Sequence, residues 1–289
     1  IHNALAKKKV VTIMGPRQVG KSTLAGAMIP EDANDLEING DNTDVQTMFV
    51  NVDDTKMKVL IGNKNFLFVD EAQKIVNVGN MLKIVAEKFD DVKVIVTGSS
   101  AFKLAEAVNE SLTGRKREFR LYPLSFKEMA DETSVLEESR MIDHRLIYGY
   151  YPEVVTSPGD EKEVIKELID SYLYKDVLEE NEIAKQDKLI RLVQALAFQI
   201  GSTVSANELA GLVGVDAKTV ERYIDILEKC YIIFTLPSYA KNQRNELKFA
   251  RKIYFWDMGI RNGVIGNMAP VSLRSVSYTH LRAHETRSN

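Results

Sequence analysis

Gly15-Pro16-Arg17-Gln18-Val19-Gly20-Lys21-Ser22 fits the pattern G-x-x-x-x-G-K-[ST], and its flanks decide the fold. Upstream, Val10-Val11-Thr12-Ile13-Met14 is an apolar run that predicts a buried strand. Downstream, Thr23 to Met28 reads as a helix that ends at Pro30. Strand, glycine-rich loop, helix is the setting of a phosphate-binding loop. Gly15 and Gly20 allow the tight turn that aims backbone N–H groups inward, and the helix N-terminus adds partial positive charge. The residues expected to cradle phosphate are Gly15, Pro16, Arg17, Gln18, Val19, Gly20, Lys21, Ser22 and Thr23. Among them Lys21, read as a solvent-facing loop residue, reaches the terminal phosphates, and Ser22 offers a hydroxyl to Mg²⁺. The pattern predicts a nucleoside triphosphate site.

A phosphate loop by itself implies binding and not hydrolysis. Phe66-Leu67-Phe68-Val69-Asp70-Glu71 supplies the second half. Four consecutive apolar residues indicate a strand buried on both faces, as in a parallel sheet. A carboxylate at the C-terminal end of such a strand lies on the edge where open α/β sheets bind ligands. Asp70 is the candidate metal ligand opposite Ser22, and Glu71 the candidate base for the attacking water. A third strand, Val92 to Val96, ends in Thr97-Gly98-Ser99-Ser100. Thr97 or Ser99 would donate a hydrogen bond to the γ-phosphate or to the water. The same residues also suit a simple turn that caps a helix starting at Ala101, and the two readings are compatible.

The composition is that of a globular, soluble chain: 45 % hydrophobic and 27 % charged residues, with a formal charge of −3 that gives no overall pull towards nucleic acid. No stretch has the roughly 20 apolar residues that cross a bilayer. The lone Cys230 excludes an intramolecular disulfide and reads as a small core residue. His2, His144, His280 and His284 lack metal-ligand spacing. A cytoplasmic location is expected, with no membrane partner. The chain starts at Ile1 without methionine, and its last stretch, residues 271–289, has no structural period. That tail is expected to be non-native, with the natural protein continuing past Pro270.

Strands at about 9–14, 35–39, 65–70, 92–97 and 116–121, separated by helix-patterned segments, predict an α/β fold: a parallel sheet covered by helices. Residues 1–130 form this core. Residues 131–200 follow as a helical lid, with helices at Leu136 to Tyr148, Glu161 to Glu179 and Gln186 to Ile200, after a first at Ser125 to Met129. Residues 201–270 read as a winged helix–turn–helix. Ser205 to Glu208 is a capping box, Gly214 turns the chain, and Asp216 caps a helix with Val220, Tyr223, Ile224 and Leu227 on its buried face. Two apolar runs, Tyr231 to Leu236 and Lys252 to Trp256, make a two-stranded wing around a loop at Asn242 to Asn245. On the second helix Asp216, Lys218, Glu221, Arg222 and Asp225 nearly cancel, whereas the wing carries Lys241, Arg244, Lys248, Arg251 and Lys252. A protein-contact or lid module is favoured over DNA binding, since recognition helices usually bring excess positive charge.

With these motifs in place the chain resembles the AAA-type ATPases of bacteria and archaea that pair an ATPase core with a C-terminal domain of unknown function. The resemblance rests on GPRQVGKSTL (15–24), VDEAQ (69–73), TGSS (97–100) and LTGRKREFRLYPLSFKE (112–128), then on YGYYPEVV (148–155), the helix–turn–helix and KIYFWDMGIRN (252–262). It implies ATP and Mg²⁺ as ligands, ATP hydrolysis as the activity, and oligomers as an option. It also implies that Arg115 stands near phosphates, in this subunit or a neighbour, and that Pro152 belongs to a motif contacting the base. Where the family commonly has two glycines before that motif, this chain has Gly149 and then Tyr150. A terminal nuclease-like part typical of the family is missing, and Asp257 alone makes no nuclease site. The rival function is a slow nucleotide-gated switch acting on DNA or protein.

Overall fold

The computed structural model of the chain describes residues 1–7, 10–99, 112–171, 177, 186–236 and 251–273, which fall into two compact units split after Tyr122. In the first, α1 (His2–Ala6) leads into β1 (Val10–Met14), and α2 (Lys21–Ala27) follows the glycine-rich loop. Then come β2 (Asp35–Asn39), α3 (Thr43–Met48), α4 (Asp54–Ile61), β3 (Phe66–Asp70), α5 (Val78–Lys88), β4 (Lys93–Gly98) and β5 (Lys116–Arg120). The five strands form one sheet in the order β2-β3-β4-β1-β5, with every neighbouring pair parallel. Parallel strands need covered faces, and the burial follows: Val11, Ile13, Phe66, Phe68 and Ile95 join Leu5 and Ala25 in a core on one side. The alternate residues Leu67, Val69, Val94 and Val96 are equally buried. Full burial of each such side chain contributes about 1.5–3 kcal/mol, so a polar substitution in these runs breaks the sheet.

Register sets the site. Met14 pairs with Gly98 and Val69 with Val96, so the C-terminal tips of β1, β3 and β4 lie on one edge. Because β4 sits between β1 and β3, its tip at Thr97 stands between the phosphate loop and the acidic pair.

The second unit begins with α6 (Phe126–Glu132), closed by a capping box in which Ser125 and Glu128 satisfy each other's backbone. The expected helix over Leu136 to Tyr148 is two helices, α7 (Val135–Arg140) and α8 (Ile142–Tyr148), broken at Met141. Across the break the buried Arg145 returns to the buried Glu138, with contacts of 3.0 and 3.3 Å. Next are α9 (Pro152–Thr156), α10 (Glu161–Leu168) and α11 (Gln186–Phe198). The expected continuation of α10 to Glu179 lies largely outside the described residues. Leu189, Leu192, Val193, Leu196 and Ala197 are buried along α11, as their helical spacing predicts.

The rest of the unit is β6 (Thr203–Val204), α12 (Ala206–Val213), α13 (Ala217–Lys229), β7 (Ile233–Leu236), β8 (Arg251–Phe255) and α14 (Met258–Val264). The small sheet has three antiparallel strands in the order β6-β8-β7, not two, because Thr203 and Val204 pair with Lys252 and Arg251. A two-residue strand is too short to show a period in sequence. Gly214 makes the turn with φ +75°, and Asp216 caps α13 by accepting from the Thr219 backbone at 2.9 Å. The capping box at Ser205 does not form: the serine is at the N-cap, but its exposed side chain makes no capping bond. The loop with Lys241, Asn242, Arg244, Asn245 and Lys248 lies outside the described residues, as do Ala101 and residues 274–289.

Helix α14 was not foreseen, and it closes the unit. Asp257 caps it, accepting from Ile260 N at 3.0 Å and from Tyr150 N at 2.7 Å. The Asn262 amide donates to the carbonyls of Leu146 and Ile147, and Arg261 donates to that of Ala197. Gly149 is obligatory here, since a Cβ would stand 2.2 Å from the Asp257 carboxylate. Burial pushes the Asp257 carboxyl up to about 6, against backbone N–H groups that favour its ionised form. Between roughly pH 4 and 6 the folded state therefore holds a proton that the unfolded state has released. This stabilisation is present below the unfolded pKa and is lost as pH rises through about 6. Relative to Asp257→Asn, wild type is expected to lose on the order of 2–3 kcal/mol between pH 4 and 7. Urea unfolding followed at Trp256, the single tryptophan, measures this, and parallel pH curves for the two proteins would refute it.

Candidate functional site

The loop between β1 and α2 is wound as phosphate binding requires. Gly15 approaches β5 so closely that a Cβ would stand 1.9 Å from the Leu121 carbonyl. Gln18 and Gly20 both take positive φ, at 59° and 89°, so successive N–H groups turn towards one side. Val19 is buried and anchors the loop, while Gln18 and Thr23 are exposed. Lys21 does not face solvent: it is the first residue of α2 and only 5 % exposed. Its ammonium donates to the Pro16 carbonyl at 2.6 Å, folding the side chain over the loop. Burial pulls its pKa down to about 8, opposed by the carboxylates of Glu71 and Asp70.

Across the edge, Asp70 ends β3. The Ser22 hydroxyl stands 2.8 and 2.9 Å from its two carboxylate oxygens. Thr97, from the tip of β4, donates a short hydrogen bond to Asp70 Oδ1 and accepts from the Glu71 backbone N–H at 3.2 Å. One threonine thus ties the two acidic residues together. Ser22 and Asp70 are hard oxygen donors, and their separation is close to the roughly 3 Å expected between adjacent ligands of an octahedral ion with 2.0–2.1 Å bonds. The pair fits Mg²⁺, which takes one or two protein ligands and completes its shell with water and phosphate.

Glu71 sits in the left-handed region, φ 47°, an uncommon setting for a non-glycine residue. This kink turns its side chain out of the strand direction. Its Oε2 accepts from Gln73 Nε2 at 2.6 Å and from Ser99 Oγ at 3.1 Å, and Gln73 also donates to Ser99 at 2.9 Å. Among the described residues no donor reaches Oε1. Gln73 was not singled out from the sequence, although it stands within the VDEAQ motif. Its signal was only an amide two residues beyond the base. Gly40 was missed too: a Cβ there would stand 2.3 Å from the Glu71 carbonyl, so this glycine allows the kinked turn to lie against the end of β2.

The structure brings Lys21, Ser22, Asp70, Glu71, Thr97 and Ser99 together and leaves Arg115 apart from them. Arg115 precedes β5 at the end where its carbonyl accepts from Val10 N. That end is the far edge of the sheet, about 17 Å from the strand tips at about 3.3 Å per residue. Arg115 pairs there with Glu87 at 2.5 Å. Within this chain Arg115 therefore stands away from the phosphate loop. Pro152 is the first residue of α9, in the second unit.

A phosphate loop and an acidic strand tip on one edge of a five-stranded parallel sheet define the class as a P-loop NTPase-like fold. Residues 7–130 match the family described as AAA domain, and residues 139–270 match a Domain of unknown function (DUF8612). Residues 7–130 are thus similar to an AAA domain, followed by the second matched domain. Its relatives include an uncharacterized protein of Haemophilus influenzae, 26 % identical over 70 % of this chain and 53 % of the relative. An uncharacterized protein of Methanocaldococcus jannaschii is 25 % identical over 82 % of this chain and 58 % of its own length. The chain thus spans little more than half of these relatives. Among solved structures, it is similar to a signal transduction ATPase with numerous domains and a tetratricopeptide repeat sensor from Pyrococcus horikoshii. That similarity has a TM-score of 0.37 at 11 % identity, and covers all of this chain and 45 % of the other. Among the described residues no helix is long and apolar enough to cross a membrane.

Proposed function

We propose that this chain binds ATP with Mg²⁺ and hydrolyses it. The observation that carries this reading is the meeting of Ser22 with Asp70 beside an anchored Glu71, which joins phosphate loop and base at one point. The loop amides and Lys21 bind phosphate. Ser22 and Asp70 hold Mg²⁺, which when bound neutralises charge on the phosphate oxygens. Thr97 fixes Asp70, while Gln73 and Ser99 hold Glu71 by Oε2 so that Oε1 faces water. Water oxygen bonds to the γ-phosphorus, the bond to the ADP oxygen breaks, and the water proton passes to Glu71. Ser99 serves as a positioning group for the base and not as a phosphate sensor.

The helices α12 and α13 with the sheet β6-β8-β7 support a winged helix–turn–helix as the output module. Both signs stay interleaved on and beside α13, where Glu221 pairs with Arg251 and Asp225 with Lys229 at 2.8 Å. A basic residue expected to face phosphate is instead spent on an acid of the adjacent helix. A protein partner therefore suits this module better than DNA. The reading is tested by ATP titration with and without Mg²⁺ and by phosphate release with and without duplex DNA. Mg²⁺-dependent turnover unchanged by DNA is expected. Absence of any turnover would sink hydrolysis, and strong stimulation by DNA would favour the DNA-gated switch.

A further inference from the structure

We propose that Arg17, the third residue of the phosphate loop, meets the γ-phosphate from within the same chain and supplies transition-state charge there, where the chain's own Arg115 does not reach. The inference rests on the hydrolysis reading and deepens it by naming a catalytic residue. The Arg17 guanidinium lies 4.0 Å from Glu71 Oε2, the oxygen already held by Gln73 and Ser99. A general base for hydrolysis must lie within reach of the water that attacks the γ-phosphorus. A group beside that base therefore stands at the γ end of the nucleotide, not at the α-phosphate or ribose. Arg17 is also only 25 % exposed as a side chain, and it stands near enough to Lys21 to repel its charge.

Two cations brought together at one loop repel each other, against the attraction of the Glu71 and Asp70 carboxylates. A triphosphate relieves this, and its γ-phosphoryl, where charge spreads over three oxygens during transfer, matches a planar guanidinium. At 4.0 Å the contact with Glu71 is longer than a hydrogen bond, so a phosphate oxygen can take its place. The same exchange removes a cation from the base as substrate arrives. No neighbouring subunit is needed for this charge, and each chain carries a complete set.

The test compares wild type, Arg17→Ala and Arg17→Lys in ATP and ADP binding and in turnover. Arg17→Ala is expected to weaken ATP about tenfold relative to ADP, the loss of one charge-assisted bond to the γ-phosphate. Turnover is expected to fall about 10³-fold, the lower end for a transition-state arginine, with Arg17→Lys in between. Mixing Arg17→Ala with Glu71→Gln chains is expected to restore nothing, because both groups act on the nucleotide of their own chain. Recovery of activity in the mixture would overturn the in-chain assignment, as would equal loss of ATP and ADP affinity, which marks a loop-folding role. If wild type binds ATP but does not turn it over, the ATP-over-ADP loss still decides the contact, and only the hydrolysis reading falls. Binding of neither nucleotide by wild type overturns both.

Discussion

Glu71→Gln is expected to bind ATP as wild type does and to turn it over at least about a hundredfold more slowly, the lower end for a positioned base. The anchoring pattern makes this substitution clean. Glutamine's carbonyl oxygen takes the place of Oε2, where it accepts from Gln73 and Ser99 as the carboxylate does. Its NH₂ then occupies the Oε1 position, where it can donate but cannot take a proton. The backbone kink at φ 47° and the bond from Glu71 N to Thr97 do not depend on the side-chain charge. Calorimetric titration with ATP and a phosphate-release assay on the same preparation measure the two halves. Retained turnover would move the base elsewhere or expose a contaminating activity; lost ATP binding would show that the charge serves the site's structure.

The parts of this molecule that were legible in sequence are those whose signal is periodic or local. The three central strands β1, β3 and β4 appear where apolar runs predicted them, because burial on both faces leaves an unbroken hydrophobic stretch such as Phe66 to Val69. The edge strands β2 and β5 are instead polar and only partly buried. The phosphate loop and the acidic pair were readable because their chemistry needs fixed residue types at fixed spacing. What escaped depends on contacts between segments far apart in the chain. That Gln73 and Ser99 share one oxygen of Glu71 follows from β4 lying next to β3, which residue spacing does not encode. The clasp by Asp257 and Asn262 reaches back over 100 residues to Tyr150 and α8, and Arg261 reaches back 64 to Ala197, distances that no local pattern reports. Exposure misled in the same way: a loop lysine is ordinarily solvated, yet Lys21 folds back on Pro16 and is buried.

Lys21→Ala is expected to weaken ATP binding about a hundredfold or more, the worth of a buried charge-assisted contact, while leaving the fold as stable as wild type or more so. The burial of this lysine makes the second half a real test, because removing a buried side chain usually destabilises. Here the structural terms run the other way. The lysine opens helix α2, where the helix dipole disfavours a cation. Burial disfavours its charge enough to pull the pKa down to about 8. Alanine is the best helix former at that position, and the one bond lost, to the Pro16 carbonyl, is worth about 1 kcal/mol. A side chain that costs the fold and is nevertheless aimed at the loop is there for a ligand. Calorimetric titration with ATP and thermal unfolding of both proteins decide the matter together. Undiminished ATP affinity in the variant would remove the phosphate-loop assignment, and a large fall in its unfolding temperature would show that Lys21 is structural after all.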